Sequence, residues 1–390
     1  MLAVVLVALL GAASAPSPLY GVYQAMWGFT TITLTAIYAV YALGGIGALL
    51  TTGRLPDHLG RRPVLASALV VEIVAMLAFV IAEDVGMLFV GRFLAGVGVG
   101  IGAGAVSAWL VDLQPPGNPR LGSLVSGVGP LLGLGLGAFV AGLLVQFGPD
   151  PQHLVFWVLA GLYGVGLIGI FAVPDPVGRR PGWLASMRPT IGVPPAARSM
   201  FLAGVPALVG VWALAGLYLS LGPSLAVSLL GTESRLAGGA LILALTGAGA
   251  IASVAVQSFE PRLVLVRGSL VLIAGVGISL VGVVAGSIVL LFGGSVVAGL
   301  GFGPAFSAFI GATVPLASPQ QRGALVAAIY VVVYVAISVP ALIGGAGATV
   351  LGLRDMTVAY GLVVVLLAAA TTLRVSRRLA NVNGAGPERP

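Results

Sequence analysis

Apolar residues along this chain come in long runs of Ala, Val, Leu, Ile and Gly, separated by short breaks that hold charges, proline clusters or Gly-Asp-type turns. A membrane-crossing helix needs roughly 20 apolar residues to cover about 30 Å of hydrocarbon. The runs predict twelve such helices, over 2–24, 32–52, 63–82, 86–110, 121–146, 153–173, 200–221, 237–257, 268–285, 287–314, 323–346 and 357–374. The weakest break is at Gly286 and Ser287 alone, between spans 9 and 10. The opening run, MLAVVLVALLGAASAPS, carries the Ala-Ser-Ala of a signal peptide but no basic residue ahead of its apolar core. It continues past Pro16 and Pro18 to Tyr23 and is read as span 1.

Composition agrees with this pattern. The chain is 59% hydrophobic and 7% charged, against about 25% charged for a soluble domain, so it cannot cover a water-facing surface. Every basic residue apart from the two histidines is Arg. With both termini cytoplasmic, fifteen of the 18 arginines fall in inner loops and the tail, including Arg54, Arg120, Arg179, Arg180, Arg322 and Arg378. Outer loops hold Arg235 and Arg354, with the acids Glu83, Asp84, Asp150, Glu233 and Asp355. The positive-inside rule therefore predicts a multi-pass protein of the plasma (inner) membrane with 53–62 and 174–199 in the cytoplasm. The net charge of +7 is spread over separate short loops, which argues against nucleic acid as a partner. Without Cys there is no thiolate metal site or disulfide. His58 and His153 lie in loops, so no metal centre is expected inside the spans. No phosphate-binding loop is present, which excludes ATP-driven transport, and no cofactor is called for.

An internal repeat divides the chain. LFVGRFLAGVGVG (88–100) and LFGGSVVAGLGFG (291–303) match at seven of thirteen positions. Arg120-Leu121-Gly122 is echoed by Arg322-Gly323, and Pro16-Ser17 by Pro223-Ser224. Three matches at a spacing of about 200 residues point to two related halves, a pattern common in transporters. The polar, Pro-rich segment from Val173 reads as the linker. The expected organisation is a six-helix half over 1–173, a cytoplasmic linker over 174–199, a second six-helix half over 200–378 and a tail over 379–390.

The most polar stretch of the first half is GRLPDHLGRRP, residues 53–63, between spans 2 and 3. Gly53 and Gly60 are expected to let the backbone turn tightly. Asp57 can accept hydrogen bonds from Arg61 and from the free N–H groups that open span 3. With twelve spans and two repeated halves, this turn resembles the signature of the major facilitator superfamily, in which Gly53, Leu55, Asp57, Gly60, Arg61 and Arg62 match and only His58 departs. The resemblance implies an all-α membrane fold of two pseudo-symmetric six-helix halves around a central cavity, lined mainly by spans 1, 4, 7 and 10. It also implies a cytoplasmic gate in which Asp112, at the end of span 4, joins Arg61. In the second half, the loop SFEPRLVLVRG keeps only Glu260, Arg262 and Arg267, so a gate there is expected to be weaker. Arg92 followed by Gly96, Gly98 and Gly100 is similar to the family's span 4 signature. Gly129, Pro130 and Gly133 in span 5 resemble the proton-antiporter signature in which a Gly-Pro pair bends the helix, although Val125 and Leu134 stand where that signature has Gly. Ordinary small-residue packing is the alternative for that stripe.

Two ionisable residues lie within spans, Glu72 and Arg92. Glu72 is roughly 15 Å deep by helix rise, and intramembrane charges are by default candidates for function, here proton coupling. Arg92 lies nearer the outer surface, so an ion pair between the two is not expected. Candidate cavity aromatics are Tyr38 and Tyr41 on one face of span 2, Trp212 and Tyr218 in span 7, and Tyr330 and Tyr334 in span 11. No acid lies in spans 1, 7 or 10, which disfavours a permanent di-cation as substrate. The expected function is secondary export of a small lipophilic substrate in exchange for protons, by a monomer in the lipid bilayer. An uptake symporter or facilitator on the same fold is the alternative, and a non-transporting scaffold or sensor a further one. None of these is an enzyme.

Overall fold

A computed structural model describes residues 1–118, 120–231 and 234–384, with side chains as far as Arg377. Glu233 and Arg389 lie outside the described residues. Twelve helices long and apolar enough to cross a membrane are present among those described: α1 (Leu2–Trp27), α2 (Thr31–Thr52), α3 (Arg61–Val80), α4 (Val85–Asp112), α5 (Leu121–Phe147), α6 (Leu154–Ala172), α7 (Pro195–Ser220), α8 (Arg235–Ala255), α9 (Pro261–Ala285), α10 (Ile288–Leu316), α11 (Pro319–Leu351) and α12 (Leu353–Arg377). The final helix runs on to Gly384.

Local chemistry explains where these helices begin and end. Asp84, Ser234, Glu260 and Ser287 cap α4, α8, α9 and α10 by accepting a first-turn backbone N–H. The break at Gly286 and Ser287 is sharp because Gly286 takes φ +67 to close α9 while Ser287 opens α10. α7, α9 and α11 start at Pro195, Pro261 and Pro319, several residues ahead of the predicted spans. Hydropathy marks where hydrocarbon begins, but a proline-led first turn needs no hydrocarbon. In α1, Pro16 and Pro18 interrupt the ladder. A helix over Leu2–Ser14 gives way to a 3₁₀ turn over Ser17–Leu19 and resumes at Tyr20. The segment is deeply packed, with Leu6, Leu9 and Leu19 fully buried.

Two six-helix halves follow one packing scheme. α1 packs on α4, α5 and α6; α2 on α4; α3 on α4 and α6. Six helices later, α7 packs on α10, α11 and α12; α8 on α10; α9 on α10 and α12. Glycines set the closest approaches. A Cβ on Gly96 would collide with Tyr41 O and one on Gly299 with Leu245 O. Gly100 and Gly303 likewise stand against the carbonyls of Gly45 and Gly249.

The halves meet along α5–α8 and α2–α11. The α5–α8 seam runs from Gly142 against Arg235 and Leu236, through Gly239 against Ala138, to Gly135 against Thr246. Across α2–α11, Gly345 meets Thr35 and Gly45 meets Tyr334. Most of these contacts lie towards the face that carries few arginines. Nearer the arginine-rich face, Gly47, Gly104 and Gly127 have no atom within 4 Å of where a Cβ would stand.

Candidate functional site

The charged turn after α2 is a short helix over Pro56–Leu59 that ends at Gly60. Gly60 takes φ +97, which a side chain would resist, and a Cβ there would come within 2.8 Å of Asp175 Oδ2. Gly53 differs from expectation: its φ of −58 is ordinary helical backbone, so no left-handed turn requires a glycine there. Leu55 precedes the short helix and is half-buried. Arg61 Nη1 donates to Asp57 Oδ1 at 2.7 Å and Arg61 Nε to Asp112 Oδ2 at 3.0 Å. The turn is thereby tied to the end of α4.

Asp57 does not cap α3. The N–H groups of Arg61 and Arg62 donate instead to Asp175, at 3.3 and 2.9 Å, and Val177 N donates to the same carboxylate at 3.2 Å. Asp175 is thus a third acid at this site, beside Asp57 and Asp112. The physical reason is access: Asp57 belongs to the short helix before Gly60 and turns its carboxylate to Arg61, whereas the chain leaving α6 passes over the N-terminus of α3. Three more bonds hold that passage. Arg62 Nη2 donates to Val173 O, Trp109 Nε1 to Pro174 O, and Arg180 N to His58 O. Further on, Gly192 N donates to Ala324 O in the first turns of α11. Every side-chain partner of Arg61 belongs to the first half. The linker alone reaches from this cluster to the second half among these bonds. No local signal marked Asp175, which lies more than a hundred residues from the N–H groups it holds. In the second half Glu260 is the cap of α9, donated to by Leu263 N at 2.7 Å.

Glu72 and Arg92 are both buried, at 0% and 1% exposure. They do not pair: the ion pairs among the described residues are Arg61–Asp57, Arg61–Asp112 and His153–Asp150. Glu72 lies against α4 where Gly98 leaves room for its carboxyl, and neither carboxyl oxygen has a hydrogen-bond partner. Arg92 donates from Nη1 to Ala13 O at 2.8 Å, a carbonyl at the end of the first segment of α1. Its guanidinium lies 4.9 Å from the ring centroids of both Tyr38 and Tyr41. Tyr41 in turn contacts Tyr334 across the two halves, with centroids 6.3 Å apart. Arg92, Tyr38, Tyr41 and Tyr334 thus form one cluster. Tyr330 lies one turn away from Tyr334 on α11 and is half-buried.

The remaining aromatics turn into the second half. Tyr218 OH bonds Ser295 Oγ at 2.7 Å, and Trp212 packs edge-on against Phe302 and Phe306 of α10. α5 runs unbroken through Pro130. Gly129 and Gly133 meet Leu6 and Val7 of α1, and Gly137 meets Gly11, a small-residue stripe at spacing four.

A bundle of twelve membrane helices in two pseudo-symmetric halves, with charged groups inside one of them, has the architecture of a secondary transporter. Residues 1–339 match the Major Facilitator Superfamily profile, and the chain belongs to that family. The curated relatives that follow are transporters. Curated relatives include the multidrug resistance protein MdtL of Klebsiella pneumoniae, 29% identical over 38% of this chain and 38% of that one. The arabinose-proton symporter of Bacillus subtilis is 28% identical over 37% of this chain and 31% of that protein. Sugar transporter ERD6-like 6 of Arabidopsis thaliana is 29% identical over 38% and 30% respectively. The matched segments thus span about a third of the length of these relatives. Among solved structures, a POT family transporter in complex with 5-aminolevulinic acid superposes with TM-score 0.75 at 13% identity, covering 96% of both chains. A bacterial homologue of the lysosomal transporter Spinster, in an inward-facing and occupied conformation, gives 0.72 at 14%, covering 96% of this chain and 95% of that one. These two show the shared fold.

Proposed function

We propose that the chain is a proton-driven exporter of small lipophilic molecules, working by alternating access as a monomer with both termini on the cytoplasmic side. The observation that carries the proton part is Glu72. A fully buried carboxyl without a hydrogen bond or ion pair is costly as an ion, and a bound proton removes that charge. A group that gains and loses a proton at different points of a cycle is what coupling requires. The arginine distribution supports a cytoplasmic position for the arginine-rich face. The seams between the halves then lie at the outer end, an inward-facing arrangement. Arg61 with Asp57, Asp112 and Asp175 forms the cytoplasmic gate in this reading, and the linker carries its state to α11. The similarity to MdtL supports efflux, and the Gly129–Pro130–Gly133 stripe is consistent with it.

An uptake symporter is the second reading, favoured by the comparable similarity to the arabinose-proton symporter. Proteoliposomes with an imposed proton gradient separate the two, using a panel of lipophilic cations, neutral drugs and sugars. Export predicts gradient-driven accumulation of a lipophilic compound in vesicles acid inside. Glu72→Gln should abolish uphill flux while leaving binding and downhill exchange intact. Normal uphill pumping by Glu72→Gln would move the coupling proton elsewhere.

A further inference from the structure

The guanidinium of Arg92 is buried without an anionic partner. Nη1 is used on Ala13 O, while Nε and Nη2 have no hydrogen-bond partner. Those two nitrogens form the side-on edge of the guanidinium, which presents two parallel N–H groups to a carboxylate. Tyr38 and Tyr41 lie beside the same guanidinium, 4.9 Å from each ring centroid, and its Nε–Nη2 edge is buried without a hydrogen bond. Two other buried groups at the same break in α1 also lack partners, Ser17 Oγ and Tyr20 OH. They are three residues apart across a 3₁₀ turn, where such positions eclipse, and they follow Ala13 by one and two turns. A bound water would satisfy the hydrogen bonds but not the charge. Glu72 makes no ion pair or hydrogen bond with Arg92: its carboxyl occupies the Gly98 side of α4, about 120° round the helix.

We infer that the Nε–Nη2 edge of Arg92, with the hydroxyls of Tyr20 and Ser17, is a subsite for a carboxylate, and that the transported molecule is a lipophilic monocarboxylic acid. The inference rests on the exporter reading and names the charge of its substrate. The cluster adjoins the α2–α11 seam through Tyr41 and Tyr334, and parting of that seam admits the ligand. The aliphatic or aromatic part of the ligand then lies against the tyrosine rings while its carboxylate takes the open edge. The acid differs from its amide only at the end that Arg92 holds, so the comparison isolates this subsite.

The test is equilibrium binding to the full chain in proteoliposomes without a proton gradient. The probes are radiolabelled 4-phenylbutyrate and decanoate, each against its primary amide. The acids are expected to bind about tenfold or more tightly than the amides, the scale of a charge-assisted bond. Arg92→Gln should erase that preference, so that acid and amide bind alike, and Arg92→Lys should retain about a third of it, since the charge stays but the fork is lost. Should Arg92→Gln not fold, the double variant Ser17→Ala with Tyr20→Phe decides. It should weaken acid binding several-fold and so reduce the preference for acid over amide. Equal binding of acid and amide by the unaltered protein overturns the inference, as does an undiminished preference in Arg92→Gln or in the double variant. Gradient-driven pumping of a lipophilic cation without acid preference would leave the exporter reading standing and remove this one. Acid preference without proton-coupled flux would do the reverse.

Discussion

The two halves share a scaffold and differ in what they bury. Gly98 in α4 faces Glu72, whereas Gly301, at the matching place in the repeat, faces Leu272 and Gly268 of α9. Glu72 and Leu272 are equally inaccessible, at 0% exposure. Arg92 aligns with Ser295. Ser295 donates to Leu291 O at 2.6 Å and receives the Tyr218 hydroxyl at 2.7 Å, so its groups are satisfied. Arg92 keeps two nitrogens unpartnered. The backbone contacts of α2–α4 and α8–α10 are the same in kind, set by glycines against carbonyls. Packing is therefore common to both halves, while among the described residues unsatisfied intramembrane ionisable groups are confined to the first. Such groups destabilise a helix bundle, and their presence on one side only is what a chemical role would leave behind.

The largest effect should come from giving the second half the first half's carboxyl. Leu272→Glu is expected to cost about 3 kcal/mol or more, because Gly301 is filled by backbone and leaves the carboxyl no space. Loss of the folded peak in detergent size-exclusion checks it, and a stable, active variant would end the claim that the halves differ in tolerance for charge. Where the halves agree, they should fail alike. Gly96→Val and Gly299→Val are each expected to cost about 1–3 kcal/mol by driving a side chain into a carbonyl. Gly104→Ala, at a position with open space, should leave the thermal midpoint unchanged. A large difference between the two valine variants would break the equivalence of the scaffolds.

The charged turn between α2 and α3 sharpens the comparison further. Asp175→Ala removes the acceptor of three N–H groups and should cost about 1–2 kcal/mol. Asp57→Asn should cost less than about 1 kcal/mol, since its pair is solvent-exposed and Arg61 keeps Asp112. Flux in proteoliposomes should fall for both, and further for Asp175→Ala. The reverse order would return the main role to Asp57. Tyr218→Phe is expected to cost only about 0.5 to 1 kcal/mol, because Ser295 keeps its bond to Leu291 O. Thermal unfolding resolves it, and a cost as large as that of Leu272→Glu would mean that the Tyr218–Ser295 link organises the second half.

Most of the architecture could be read along the chain. Span number, the interruption at Gly286 and Ser287, and the two halves follow from run length and from a repeat of about 200 residues, because hydrocarbon thickness acts on every stretch of chain independently. The turn from Gly53 to Arg62 was legible for a similar reason: Asp57 and Arg61 stand four apart and need only a short helix to meet. Gly53 and Gly60 were both expected to turn the chain tightly; Gly60 takes a positive φ, whereas Gly53 has helical backbone.

The partners of the buried groups were another matter. Arg92 and Tyr41 were visible as residue types, but which faces of α1, α2 and α4 come together depends on how glycines of three helices interlock. That interlocking joins Arg92 to a carbonyl 79 residues away and Asp175 to N–H groups 113 and 114 residues away. Insertion into a membrane is a property of each segment taken singly, so residue order specifies it directly. The choice of partner inside the bundle is a property of all the helices packed at once, and it exists only when the chain has folded.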